Sequence, residues 1–180
     1  MNGGAAVKDQ AKSPLVRFVI VFILLIGVFY AIYIPISQAE GYNSYLALFA
    51  KATGGILSLF GEDISVSGTD VKSSLFAMQI VPGCDGMEAM ALFVSAVLAS
   101  PVSLRLRIWF ILPGILGVLL VDLVRLVSLF YIGAYWPKAL HVMHWDIWPG
   151  LLIVIVLSSW LVWARWVWRR QPEQEADVKT

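Results

Sequence analysis

The chain has 180 residues, 59% of them hydrophobic and only 14% charged, with eight tryptophans and a formal net charge of +1. With a mean hydropathy of +0.80, it is excluded from the ordinary soluble globular domains and reads as an integral membrane protein. Its single cysteine, Cys84, excludes an internal disulfide and any cysteine-rich metal site.

In chain order, Met1 to Pro14 is polar, carries Lys8 and Lys12, and has little to bury, so it is expected to be a tail. Phe18 to Ile36 is about one bilayer crossing long and follows Arg17. No small-residue cleavage site is evident, so the segment is expected to be a retained anchor rather than a signal peptide. The preceding basic residues put the N-terminus in the cytoplasm. Gly41 to Phe60 is apolar but interrupted by Asn43, Ser44, Lys51, Thr53 and Gly54-Gly55. It is expected to lie on the outer interface as an amphipathic helix, because a second crossing there would carry Arg105 and Arg107 to the outside. Gly61 to Ile80 reads as short strands turning at Gly68, a small extracytoplasmic hairpin.

Val81-Pro82-Gly83-Cys84-Asp85-Gly86 follows as a tight turn, since proline presets φ and glycine accepts φ > 0. A helix starting near Asp85 would aim its positive end at Cys84 and favour the thiolate. A lone cysteine is equally read as a small buried apolar residue. Met87 to Leu104 forms a second span, closed by the basic Arg105 and Arg107. Ile108 to Ala134 forms a third, with a kink expected at Pro113-Gly114. A short loop runs through His144, and Ile147 to Val167 crosses inward to Arg165, Arg169 and Arg170. The fold class is therefore all-α integral membrane: four transmembrane helices plus the interfacial helix and the hairpin. Residues 15–170 form one membrane-embedded domain between cytoplasmic tails at 1–14 and 171–180, the latter expected to be disordered.

This topology brings Cys84, Arg125 and His144 to the outer side. Arg125 lies roughly 14 Å inside its span at helical rise, a costly place for a charge unless it faces a cavity or a partner. Asp122, one turn earlier, is the obvious partner, and the pair could simply tie the bundle together. His141 and His144 are three apart, but no third ligand accompanies them, so neither a metal nor a cofactor is expected. A thiolate, an imidazole and a guanidinium suffice for acyl transfer. Glu88 is either a substrate-positioning carboxylate or a helix N-terminal charge. Asp146 could orient His144.

Cys84-Asp85-Gly86 at a helix start, Asp122-Leu123-Val124-Arg125 inside a later span, and His144 with Trp148 opening the last one resemble the three motifs of the exosortase/archaeosortase family of membrane transpeptidases. The spacing is most similar to the short exosortase H type, and the resemblance covers about residues 80–165. In that family the motifs are Cys, a small or polar residue and Gly; Asn-x-x-Arg; and a His near the start of a late helix. The resemblance implies Cys84 as nucleophile, Arg125 as stabiliser of the transition state or of a substrate carboxyl, and His144 as acid and base. Asp122 departs from the family's Asn, and His141 leaves the choice of histidine open. Implied partners are the bilayer and protein substrates ending in a recognition motif, a transmembrane helix and a basic tail, with no nucleic acid. The implied location is the bacterial inner membrane, with the site facing the periplasm. A non-enzymatic four-helix assembly protein and a small transporter using Arg125 as a binding charge are the alternatives.

Overall fold

A computed structural model describes residues 14–177; the tail expected at 1–14, but for Pro14, and residues 178–180 lie outside the described residues. The elements are α1 (Pro14–Ser37), α2 (Tyr42–Leu59), β1 (Ser65–Ser67), β2 (Asp70–Lys72), β3 (Ala77–Gln79), α3 (Met87–Ala99), α4 (Leu104–Tyr135), α5 (Pro137–Val142), a π-helical turn (Met143–Ile147) and α6 (Trp148–Asp177). The protein is mostly helical. Three segments are helical, long and apolar enough to cross a membrane: Leu15–Ser37, Leu104–Tyr135 and Pro137–Val167.

The second expected span is the exception. It stops at Ala99 because Pro101 forces Ser100 out of the helical region, to φ −65° and ψ 138°. With 13 residues, α3 is about 20 Å long, short of the ~30 Å hydrocarbon core. Its C-terminal end is closed by Arg107, which donates to the carbonyls of Leu98 and Val102, both at 2.8 Å.

Three other expectations change. The hairpin is a three-stranded antiparallel sheet, ordered β1-β2-β3, with Val66 opposite Val71 and Val71 opposite Met78. The third strand was hidden because residues 73–80 lack strict alternation. The expected loop through His144 is helical: Pro137 starts α5 at a position where its missing N–H costs nothing. No glycine or proline then interrupts the chain before Pro149. The polar segment after Arg170, expected to be disordered, stays helical through Asp177, consistent with its Glu, Gln and Ala content.

Helix α2 buries Tyr42, Leu46, Phe49, Ala50, Thr53 and Leu57, a three-to-four spacing that makes one apolar face. That face packs on α4 and the sheet. Gly54 leaves room for Val66, whose Cγ2 would lie 2.5 Å from an added Cβ. The bundle has two distinct ends. At one, the C-terminal part of α1, the N-terminus of α3, the later part of α4 and the start of α6 meet around Cys84. At the other, Trp160 donates to Ser100 at 2.9 Å and stacks on Phe18, while Phe110 stacks on Trp163. A cavity of about 720 Å³ lies at this second end, lined by Leu106, Phe110, Trp163 and other side chains none of which titrates.

Candidate active site

The turn that carries Cys84 is built by its glycines. Gly83 has φ +89° and Gly86 φ +68°, a left-handed conformation that other residues adopt only under strain. Gly86 also leads into α3, and a Cβ there would lie 3.2 Å from the Asp122 side chain. The Cys84 N–H donates to Val81 O at 2.9 Å, and the Gly83 N–H donates to the Tyr33 hydroxyl at 3.1 Å. Asp85 is completely buried. One of its oxygens accepts from the Met87 N–H at 3.3 Å and the other from the Tyr42 phenol. The turn is thus held from α1, α2 and α3 together.

Cys84 Sγ lies 3.3 Å from His144 Nε2. His144 sits on the π-helical turn, an irregularity of a kind frequent at functional sites. Arg125 donates to Asp122 Oδ1 at 3.3 Å and to the Gly83 carbonyl at 3.5 Å, so it touches the backbone of the cysteine turn directly. Asp122 is fully buried and Arg125 is 5% exposed. Among the described residues, Asp122 Oδ2 and Arg125 Nε have no hydrogen-bond partner.

Two cavities flank this turn. One, of about 390 Å³, is lined by Cys84, His144 and His141 together with Phe76, Met78, Gln79 and Trp145 among others. The other, of about 220 Å³, is lined by Arg125, Gly83, Gly86 and Glu88. Glu88 stands in the first turn of α3 and accepts from the Tyr30 hydroxyl at 3.4 Å. Asp146 is exposed and, among the described residues, makes no hydrogen bond to His144. Asp146 and Trp148 line neither cavity. Sequence reasoning missed Asp85, Tyr42 and Tyr33. The sequence presents Asp85 as a helix start and as the polar position of the Cys84 motif, not as a buried acceptor. The tyrosines pass for interfacial aromatics until their partners are known.

The electrostatics also differ from the expected resting thiolate. Burial pushes the Cys84 thiol above its ordinary range; the Arg125 charge opposes this, and Asp122 and Asp85 add to it. Helix α3 begins at Met87, beyond the Gly86 bend. The 3.3 Å contact sets a buried thiol beside an imidazole nitrogen, within the reach that proton transfer requires.

Fold and side chains define a helical, multi-pass membrane protein with a cysteine–histidine pair at one end of its bundle. The family model described as transmembrane exosortase (Exosortase_EpsH) matches residues 14–164, and the chain belongs to that family. No curated protein and no solved structure matches it.

Proposed function

We propose that this chain is a cysteine transpeptidase or peptidase that cleaves the C-terminal sorting signal of exported proteins at the outer face of the bacterial cytoplasmic membrane. The observation that carries the reading is the 3.3 Å approach of Cys84 Sγ to His144 Nε2. His144 takes the thiol proton as sulfur attacks the scissile carbonyl, and a C–S bond forms. Arg125, the cation that reaches the turn through the Gly83 carbonyl, stabilises the oxyanion. The intermediate collapses by breaking the C–N bond, His144 gives its proton to the leaving amine, and a thioester remains. Water or an incoming amine, deprotonated by His144, then releases the acyl group and restores the thiol. Of the two histidines, His144 is preferred over His141 because it touches the sulfur.

In the same reading, α3 and the Ser100–Ser103 segment complete a fourth crossing. Arg17, Arg105, Arg107, Arg165 and Arg169 then mark the cytoplasmic end, opposite Cys84. The substrate's own apolar helix lies beside the bundle, with its basic tail at that cytoplasmic end. A second reading, in which Arg125 acts only as a structural tie, is favoured by its burial against Asp122.

The test is co-expression with an exported protein of the same genome that ends in a short motif, one apolar helix and an arginine-rich tail. Loss of the tail, read by immunoblot, should occur with the wild-type chain and not with Cys84→Ala or His144→Ala. Processing by a folded Cys84→Ala variant would overturn the proposal.

A further inference from the structure

The register of the small sheet determines which main-chain groups of β3 are free. Ile80 N–H donates to Thr69 O at 3.0 Å and Ser73 N–H donates to Phe76 O at 2.9 Å. Between these bonds Gln79, Met78 and Ala77 lie opposite Asp70, Val71 and Lys72. Bonded and non-bonded pairs alternate along an antiparallel ladder, so residues 76, 78 and 80 turn their N–H and C=O groups toward β2. Ala77 and Gln79 therefore turn theirs outward. β3 is the last strand of the sheet, and both residues are exposed.

This edge, unpaired among the described residues, borders the thiol cavity. Met78 and Gln79 line it together with Leu140, Trp145, Cys84 and His144. An unpaired edge invites another strand at about 4.8 Å spacing. A lining of Met, Leu and Trp suits alternate side chains of such a strand.

We propose that the outer edge of β3 is the docking strand for the substrate. An extended peptide segment pairs with the main chain of Ala77 and Gln79, as an added strand of the sheet, and so delivers its scissile carbonyl to Cys84. This rests on the peptidase reading above and adds to it where and in what conformation the peptide binds. The occupant is an extended, uncharged stretch of polypeptide: main-chain bonds hold it, and the apolar cavity selects among its side chains.

Proline tests the pairing, because it removes an outward N–H without touching the bonds to β2. With the co-expressed substrate described above, Ala77→Pro and Gln79→Pro should each lower processing on the order of tenfold or more, as expected for losing a hydrogen bond to the substrate. Alkylation of Cys84 by a small reagent should proceed as in wild type, which shows that the turn is intact. Wild-type processing in both proline variants overturns strand docking while leaving the peptidase reading in place. A wild-type chain that leaves the substrate whole overturns the peptidase reading itself.

A second measurement does not depend on the proline variants folding. Cys84 is the only cysteine, so Cys84→Ala with Ala77→Cys has a single thiol at the edge. Single cysteines are then placed at successive positions of the substrate segment before its apolar helix, and disulfide capture is scored. Capture alternating with a period of two supports the pairing. Capture with a helical period, or at no position, overturns it.

Discussion

Arg125 offers the sharpest separation of catalysis from structure. Asp122 is fully buried and, among the described residues, already has one oxygen without a partner, so Arg125→Gln leaves the carboxylate without its ion pair, with the buried Asp85 close enough to repel it. Breaking a buried pair by removing one member costs about 3–5 kcal/mol, a large share of the ~5–15 kcal/mol that typically holds a domain together. The variant should unfold at markedly lower temperature in detergent, followed by tryptophan fluorescence. The double variant Asp122→Asn with Arg125→Gln, which removes both charges, should recover most of that loss. Arg125→Lys keeps the charge but not the planar fork that reaches two acceptors at once. It should accumulate near wild-type levels while processing falls roughly a hundredfold, the range for losing one transition-state donor. A stable double variant that still processes substrate would remove Arg125 from the chemistry and leave the backbone N–H groups after Cys84 to hold the oxyanion. An Arg125→Gln variant that melts like wild type would refute the burial calculation.

Other outcomes follow from the same geometry. Because the buried Cys84 thiol titrates above its ordinary range, the neutral form dominates at pH 7. Its alkylation should accelerate about tenfold per pH unit with no plateau near neutrality, and a plateau below pH 8 would contradict this. Gly86→Ala combines a left-handed φ with the 3.2 Å approach to Asp122; it should abolish processing and lower the melting temperature, whereas wild-type melting would show that the turn tolerates a side chain. Tyr42→Phe strands a buried Asp85 oxygen and should cost about 1–3 kcal/mol, much less in an Asp85→Asn background, as a double-mutant cycle would report. Accessibility tags at Ser37, Asp70 and Lys138 should report outside and a tag between Arg105 and Arg107 inside; a cytoplasmic Asp70 would make α2 a membrane crossing.

What the sequence determined by itself is what depends on composition and short range. Long apolar runs must be helical in a bilayer, because unpaired backbone groups are intolerable there, so α1, α4 and α6 were legible, and so was the helical character of α2, though not the face that it buries. The glycine spacing around Cys84 requires a turn whatever surrounds it, and the motif order pointed to the family. Tertiary structure decided the rest. The 3.3 Å contact between Cys84 and His144 joins residues 60 positions apart, a distance set by the packing of several helices and by no local pattern. Whether Cys84 rests as thiol or thiolate depends on desolvation, which no local pattern reports. Asp85 acquired a role only when Tyr42, 43 positions away, was brought against it. The edge of β3 became meaningful only when the fold placed it beside the thiol, since a strand of three residues carries too little pattern to be read alone.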